Sequence, residues 1–308
     1  MSKTAFLFAG QGAQYAGMGK DLYDLYDEVK NIYDMGEADR PGTLKMCFEG
    51  PGEELTLTEN TQPCLFLTDL ACAAVLASKG VKCDCVAGFS LGEIPALAFS
   101  GALSYEEAFK LVTIRGNAMS KCAKAHPGSM VAALKLPNET VEEVCSQFNE
   151  VYPVNYNCPG QLSCAGAIDE LDAFVSAIKE KGGRAVKLSV SGAFHTPYMK
   201  DATAALYEFL ENMDLKTPEI TMYSNKTGEK YPSDKDSMIK TISEQASNPV
   251  KWETIIRNMA SDGVDTFIEV GAGTTLTKLI GKMGLEGVSA YNVSDDASLK
   301  ATLDAIGA

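Results

Sequence analysis

The sequence predicts an α/β fold that combines a parallel sheet with an inserted antiparallel subdomain. Three short apolar runs are typical of buried parallel strands, and helical stretches separate them. These runs lie at 4–8, 84–87 and 266–270. Between the second and the third, residues 128–189 follow the order β-α-β-β-α-β, which is that of a ferredoxin-like domain. We therefore assign 1–126 and 190–308 to a core domain and 127–189 to the subdomain.

The first half of the core is predicted to be mainly helical. Helices are expected after the first strand at about 18–30, 38–48 and 61–79. Pro63 would lie in the first turn of the third, where its missing N–H costs little. The strand at 84–87 leads at once into a further helix, and Ser104-Tyr-Glu-Glu107 is a capping box that opens another, running to about Lys124.

The second half of the core returns to alternating helices and strands. It begins with the loop Ser191-Gly-Ala-Phe-His-Thr-Pro197. Strands are predicted at 220–224 and 266–270, and helices at 198–212 and 237–245, from 252 and from 275.

Composition and charge narrow the class of protein. The chain has 308 residues, of which 45% are hydrophobic and 22% charged, as in an ordinary globular protein. A net charge of −14 argues against nucleic acid as a general partner. No apolar run approaches the roughly 20 residues of a membrane span, and the apolar N-terminal stretch is too short for a signal peptide. We expect a cytoplasmic monomer that does not bind membranes.

The nine cysteines predict neither disulfides nor a metal site. Their number is odd, and the spacing of Cys83-Asp-Cys85 does not suit zinc. We interpret them as small buried apolar side chains and expect no metal.

A glycine-rich loop follows the first strand. Gly10-x-Gly12 suggests dinucleotide binding, but Tyr15 stands where that fingerprint requires Gly or Ala. We therefore disfavour nucleotide binding. The glycines instead allow the backbone, with Gln11, to approach whatever lies over the sheet.

The stretch Val86-Ala-Gly-Phe-Ser-Leu-Gly-Glu93 is interpreted as a nucleophile elbow. Gly88 and Gly92 remove Cβ atoms that would clash where the chain reverses around Ser90. The serine hydroxyl would lie at a helix N-terminus, and the backbone N–H of Leu91 could donate to an oxyanion. A Gly-x-Ser-x-Gly sequence also occurs in ordinary strand-to-helix turns, so the motif alone does not establish a nucleophile.

A serine nucleophile needs a base within hydrogen-bonding distance. The chain has two histidines. His126 lies at a helix end, where its charge would simply complement the dipole. We favour His195, which lies in a loop after a strand, where α/β sheets place functional groups. Its orienting group is less clear, because Glu269 is expected to face a neighbouring strand; a backbone carbonyl could hold Nδ1–H instead.

Arg115 falls on an apolar helix face. Leu111, Val112 and Met119 share that face. Two interpretations are open: a surface side chain that extends its charge into solvent, or a buried guanidinium that needs a carboxylate or phosphate partner.

Several motifs together resemble the malonyl-CoA:acyl carrier protein transacylase family of type II fatty acid synthesis. In chain order they are Gly10-Gln-Gly-Ala-Gln14, Gly88-Phe-Ser-Leu-Gly-Glu93, Arg115-Gly116, Asn157-x-Pro-Gly-Gln161, His195 and Gln245-x-x-Asn-Pro-Val-x-Trp252. The resemblance covers essentially the whole chain. It implies an α/β-hydrolase-like core with a ferredoxin-like insertion.

The resemblance also implies a role for each site residue. Ser90 would be the acylated nucleophile, His195 its base, and the main-chain carbonyl of Gln245 the group that orients this base. Gln11 and Leu91 would supply the oxyanion-hole N–H groups. Arg115 would bind the free carboxylate of the malonyl group, which resolves the two interpretations above. Phe194 would exclude a methyl branch, and Asn157 would contribute to substrate binding.

The implied reaction moves a malonyl group from malonyl-CoA to the phosphopantetheine thiol of acyl carrier protein, with no cofactor. Because acyl carrier proteins are acidic, docking would need a local basic patch. The candidates are Lys121, Lys124, Arg184, Lys187 and Lys200.

Two departures from the family pattern lie near the elbow. Phe89 stands where many members have His, which would make the pocket drier, and Ile94-Pro95 differs locally. The alternatives are a serine hydrolase, a trans-acting acyltransferase of polyketide biosynthesis and an inactive carrier-protein-binding module.

Overall fold

Two separate sheets organise the chain. The computed structural model describes residues 2–308. The first sheet contains β1 (Thr4–Phe8), β2 (Cys85–Gly88), β7 (Thr221–Met222), β8 (Thr266–Val270) and β9 (Ser289–Val293). The second contains β3 (Gly128–Leu134), β4 (Val151–Cys158), β5 (Gln161–Ala167) and β6 (Arg184–Lys187). The prediction of an α/β fold with a parallel sheet and a separate antiparallel one is confirmed.

The larger sheet is parallel throughout. Its strand order is β7-β2-β1-β8-β9, with β1 paired to β2 on one side and to β8 on the other. Residues 5–8 of β1 are completely buried, because helices cover both faces of the sheet. The carboxyl ends of β1 and β2 therefore meet at one edge, where the glycine-rich loop and the elbow emerge.

Fourteen helices lie among residues 2–308. In the first half they are α1 (Lys20–Leu25), α2 (Asp27–Asp39), α3 (Thr43–Glu49), α4 (Gly52–Leu55), α5 (Thr58–Ser78), α6 (Glu93–Phe99) and α7 (Tyr105–Ala125). In the second half they are α8 (Asn138–Cys145), α9 (Ile168–Glu180), α10 (Lys200–Glu211), α11 (Lys235–Gln245), α12 (Trp252–Ser261), α13 (Thr275–Ile280) and α14 (Asp296–Ile306). The predicted capping box at Ser104 is present at the start of α7.

The smaller sheet is antiparallel, in the order β4-β5-β3-β6. With α8 and α9 this is the strand order of a ferredoxin-like domain, and the two helices share an apolar core with the sheet. The backbone of β4 also pairs with Val250, which ties this sheet to the loop before α12. Where the core ends and the subdomain begins stays a prediction.

Several predicted bounds differ from the structure. The expected helix at 18–30 is broken at Tyr26, whose extended backbone separates α1 from α2. Helix α5 begins at Thr58, so Pro63 lies inside it rather than in its first turn. The carbonyl of Glu59, which Pro63 cannot bond, accepts a hydrogen bond from Arg40 instead. Strand β9 and helix α14 were not predicted.

Helix α5 forms the centre of the main core. Among residues 2–308 it is the one helix long and apolar enough to cross a membrane, yet 83% of its apolar window is buried inside the protein. All nine cysteines are unpaired, and eight of them are buried.

Candidate active site

The elbow at Ser90 is a strained turn between β2 and α6. Ser90–Gly92 form a short 3₁₀ turn, and Ser90 has a φ of 54°, in the left-handed region that L-residues seldom adopt. A Cβ on Gly88 would lie 1.9 Å from the carbonyl carbon of Gly92. A Cβ on Gly92 would lie 2.3 Å from the carbonyl oxygen of Phe8. The turn therefore needs glycine at 88 to close on itself and glycine at 92 to pack against the end of β1.

The hydroxyl of Ser90 is paired with His195. Its Oγ lies 2.7 Å from Nε2 of the imidazole. On the other side of the ring, Nδ1 lies 3.0 Å from the carbonyl oxygen of Gln245 and 3.1 Å from that of Asn248. Because both of these partners are acceptors, Nδ1 carries the proton and Nε2 accepts from the serine.

Burial keeps His195 neutral. Its side chain is almost fully enclosed, and burial, followed by the positive charge of Arg115, lowers its pKa to about 4. Gln245 and Asn248 lie at the end of α11 and just beyond it, where helix carbonyls lack intrahelical donors. This helix end can therefore orient the imidazole without a carboxylate.

The guanidinium of Arg115 lies beside the serine. The residue is 1% exposed, so the surface interpretation of this side chain is wrong. Nη1 donates to Oε1 of Gln62 at 2.8 Å. Nη2 donates to Oε1 of Gln245 at 2.8 Å and to Oγ of Ser90 at 3.2 Å. Its direct partners are thus neutral oxygens, and a positive charge lies within reach of any group attached to Ser90.

Burial also shifts the pKa of the guanidinium. Desolvation lowers the pKa of Arg115 to about 10, and the negative charge of Glu93 opposes that change. The group is therefore charged at neutral pH. A buried cation with no carboxylate in direct contact favours an anionic ligand.

The alternative base, His126, and the alternative orienting group, Glu269, both lie outside the contacts of the Ser90–His195 pair. His126 is the exposed C-cap of α7, with its ring 5.4 Å from that of Tyr198. The expectation that Glu269 faces a neighbouring strand is wrong. Its carboxylate accepts from the backbone N–H groups of Leu276 and Thr277 at 3.0 and 2.8 Å, because these are unpaired donors at the start of α13.

A small apolar cavity surrounds the reacting pair. Its volume is about 70 Å³. It is lined by Gln11, Gln62, Phe89, Ser90, Met119, Met130, Leu188, Val190, Phe194 and His195. Phe194 itself is buried. Such a cavity has room for a small acyl group and few polar atoms to hold water.

A wider cavity of about 500 Å³ adjoins the small one. The two share Gln11, Phe89, Leu188 and Val190 as walls. The wider one lies between the sheets, with the glycine-rich loop on one side and β3 and β5 on the other. Asn157 lines it, donates to Oγ of Ser163 at 3.2 Å and leaves its Oδ1 without a partner.

Phe89 forms part of the wall between these cavities. Its ring packs edge-on against Trp252, with centroids 5.3 Å apart. A Cβ on Gly10 would lie 2.8 Å from that ring, so the loop can approach only as glycine. The Nε2 of Gln11 donates to Oγ1 of Thr58 at 3.1 Å. The oxyanion-hole roles of Gln11 and Leu91 stay predictions.

Three residues of the site were missed by the sequence reasoning. The side chain of Gln62 accepts a hydrogen bond from Arg115, and the carbonyl of Asn248 accepts one from His195. The side chain of Asn225 accepts one from the backbone N–H of Ser90 in the elbow. Gln62 could have been noticed as an amide beside the apolar stretch of its helix, and Asn248 as part of the motif around Gln245. Asn225 gave no signal of this kind. Among residues 2–308, no group of three or more His, Cys, Asp or Glu side chains could hold a metal ion.

Comparisons with known proteins identify the family of this chain. The family model described as acyl transferase domain matches residues 5–299. The chain therefore belongs to the acyl transferase family.

Within that family, the chain is similar to malonyl transacylases. The chain is 37% identical to the malonyl CoA-acyl carrier protein transacylase of Bacillus subtilis, over 99% of this chain and 98% of that protein. It matches the crystal structure of the Clostridium perfringens transacylase of the same name with a TM-score of 0.94 and 38% identity, over 99% and 98% of the two chains. A malonyl transacylase in complex with a type II polyketide acyl carrier protein matches with a TM-score of 0.93 and 31% identity, over 99% and 100%.

Proposed function

We propose that this protein transfers a malonyl group from malonyl-CoA to the phosphopantetheine thiol of acyl carrier protein, through a malonyl-serine intermediate. One observation carries the proposal. The hydroxyl of Ser90 lies 2.7 Å from a neutral imidazole nitrogen and 3.2 Å from a buried guanidinium. The first neighbour activates a nucleophile, and the second binds an acyl group that carries its own carboxylate.

The first half-reaction acylates the serine. Nε2 of His195 takes the hydroxyl proton as Oγ attacks the thioester carbonyl of malonyl-CoA. The negative charge that develops on the carbonyl oxygen would be stabilised by the backbone N–H groups of Gln11 and Leu91. The C–S bond then breaks, and the coenzyme A sulfur leaves with the proton held by His195.

Arg115 would select the acyl group. The free carboxylate of a malonyl ester can form two parallel hydrogen bonds with a guanidinium. An acetyl group would leave this buried charge without its partner, which disfavours acetyl transfer. To take this role the guanidinium exchanges the hydroxyl of Ser90 for the substrate carboxylate and keeps the amides of Gln62 and Gln245 as supports.

The second half-reaction reverses the first with a different thiol. The phosphopantetheine thiol of the carrier protein gives its proton to Nε2 and attacks the carbonyl carbon of the malonyl ester. The bond between that carbon and Oγ then breaks, Oγ takes the proton from Nε2, and malonyl-acyl carrier protein leaves the regenerated Ser90. The apolar walls of the small cavity would exclude water from the ester in the meantime. Phe194 would limit space for a methyl branch. The unpaired Oδ1 of Asn157 would accept a hydrogen bond from an amide N–H of the thiol's arm in the wider cavity.

The carrier protein would dock on exposed cations. Of the five candidates, Lys124 and Lys187 already form ion pairs with Glu59 and Asp172. The remaining three, within residues 2–308, have no such pair: Lys121, Arg184 and Lys200. We expect these three to contribute most to the association rate with an acidic partner.

We further propose that the protein acts as a cytoplasmic monomer without a cofactor and without nucleic acid or membrane partners. Nine unpaired cysteines support a reducing compartment. The proposed chemistry supports the absence of a cofactor, because a serine, an imidazole and N–H donors are sufficient for acyl transfer.

The proposal is tested with malonyl-CoA, in the presence and absence of holo-acyl carrier protein. Mass spectrometry should find a malonylated peptide that contains Ser90, and Ser90→Ala should abolish it. Malonyl-CoA should be consumed rapidly only when the carrier protein is present. Equal consumption without the carrier would indicate a serine hydrolase, and transfer only to a polyketide carrier would indicate the polyketide alternative.

A further inference from the structure

The conformation of Ser90 needs an external support. Its φ of 54° costs free energy in a residue with a Cβ, and such a conformation persists only when its surroundings determine it. The two elbow glycines only make room for the turn. Within the elbow, the N–H of Gly92 donates to the carbonyl oxygen of Phe89 at 3.0 Å, which closes the turn but leaves the backbone N–H of Ser90 without a partner from the elbow itself.

Asn225 supplies that support from a distant part of the chain. Its Oδ1 accepts a hydrogen bond from the backbone N–H of Ser90 at 2.7 Å. Its Nδ2 donates to the carbonyl oxygen of Gly88 at 2.6 Å. The side-chain amide of Asn225 thus bonds to the backbone of the residue before Phe89 and of the residue after it. Bonds of this kind satisfy two buried backbone groups that the sharp reversal leaves without partners.

Asn225 is itself held rigidly. It is fully buried, and its backbone N–H donates to Oε2 of Glu93 at 2.7 Å. Its carbonyl oxygen accepts from the backbone N–H of Lys251 at 2.9 Å. Tyr231 fixes the other oxygen of Glu93. All four hydrogen-bonding groups of Asn225 are therefore engaged, and none is free to rotate toward another partner.

These contacts join the nucleophile to its base. Glu93 opens the helix that follows the elbow, and Lys251 lies three residues after Asn248, whose carbonyl holds His195. The remaining backbone group of Ser90, its carbonyl, accepts from Nε2 of Gln245 at 2.6 Å. The backbone of the serine is thus fixed by the same segments that fix the imidazole.

We propose that Asn225 is a positioning residue for the nucleophile, which acts by holding the backbone of Ser90 in the conformation that directs Oγ at His195. This inference rests on the proposed function only for the choice of substrate. It also bears on which N–H group of the elbow can serve the oxyanion hole. Because the N–H of Ser90 is bonded to Asn225, the donor from the elbow has to be the next residue, Leu91.

The test compares Asn225→Ala with Ser224→Ala. Ser224 is the neighbouring residue, is fully buried, and has a hydroxyl without a partner, so its loss leaves every bond to the elbow intact. Circular dichroism at the assay temperature establishes that each variant is folded. Two rates are then measured: malonylation of Ser90 by malonyl-CoA, and labelling of Ser90 by a fluorophosphonate, which needs neither Arg115 nor a coenzyme A site.

We expect Asn225→Ala to lower both rates about 100-fold, the effect of displacing a reacting group by about 1 Å. The dissociation constant of malonyl-CoA should change less than twofold, because Asn225 does not line the acyl cavity. Ser224→Ala should match the wild type. Both rates within threefold of wild type in folded Asn225→Ala, or an equal loss in Ser224→Ala, would overturn the proposal.

If Asn225→Ala does not fold, Asn225→Asp takes its place. It has the same shape and, when ionised, keeps an acceptor for Ser90 N–H but cannot donate to Gly88. Because burial beside Glu93 favours the protonated carboxyl group, which can donate, labelling is compared with the wild type from neutral to alkaline pH. Slower labelling of folded Asn225→Asp supports the proposal, and labelling at the wild-type rate refutes it. The two proposals can fail independently. If the wild-type protein reacts with fluorophosphonate but not with malonyl-CoA, the proposed substrate is wrong, and the fluorophosphonate rates still test the role of Asn225.

Discussion

Replacing Arg115 by alanine should change which acyl group the enzyme accepts. The guanidinium is buried and makes three hydrogen bonds in the free enzyme, to Gln62, Gln245 and Ser90. In the complex we expect the bond to Ser90 to be replaced by a bidentate contact with the malonyl carboxylate. In Arg115→Ala the malonyl carboxylate would be buried beside the amide oxygens of Gln62 and Gln245, with no cation to pair with it.

The magnitude follows from the buried charge. Removing one partner of a buried, hydrogen-bonded ion pair costs about 3–4 kcal/mol. Since each 1.4 kcal/mol is about tenfold, kcat/KM for malonyl-CoA should fall by two to three orders of magnitude. For acetyl-CoA the change should be small or favourable, because the variant no longer leaves a cation unpaired next to a methyl group.

The assay measures kcat/KM for both thioesters with holo-acyl carrier protein as acceptor. Arg257→Ala is the matched control, because Arg257 pairs with Glu253 on the protein surface. It should keep the wild-type preference for malonyl-CoA. An unchanged ratio of the two kcat/KM values in Arg115→Ala would refute the assignment of this residue to the carboxylate.

Two further predictions concern the base and the acyl cavity. Because burial lowers the pKa of His195 to about 4, kcat/KM should fall only as the pH drops through about 4. Arg115→Ala removes a nearby positive charge and should therefore move this acid limb of the pH–rate profile to higher pH. An acid limb near 6.5 in the wild type would contradict the prediction. Phe194→Ala should open the small cavity, raise kcat/KM for methylmalonyl-CoA relative to malonyl-CoA, and lower the free energy of unfolding by about 3 kcal/mol. Denaturant titration and competition between the two thioesters measure these effects, and an unchanged preference would exclude Phe194 as the selecting residue.

Local features of the site could be predicted from the sequence. The elbow depends on Gly88, Ser90 and Gly92, which lie within five residues, so its steric requirement is visible in the sequence. The capping box at Ser104 is equally local and was confirmed. His195 as the partner of Ser90 followed by elimination, since only two histidines are present, and the structure places the two side chains in contact.

Contacts between distant segments could not be predicted in this way. The burial of Arg115 depends on helix packing, and the sequence left its two interpretations open until a family resemblance was considered. Glu269 was misjudged because its partners, the first N–H groups of α13, become unpaired donors only once that helix has formed. Asn225 lies 135 residues from Ser90, and no local pattern marks it.

The sequence by itself determined the types of group available: a serine on a turn that only glycines permit, one suitable histidine, one arginine on an apolar face, and strands and helices in the order of an α/β protein. The tertiary structure decided how these groups are oriented. It buries the imidazole and the guanidinium together, turns the carbonyls at the end of α11 and just beyond it toward the base, and places Asn225 across the elbow. The physical reason is that a side chain's chemistry belongs to its residue type. Its protonation and direction depend on desolvation and on hydrogen bonds from segments that lie from 50 to 135 residues away along the chain.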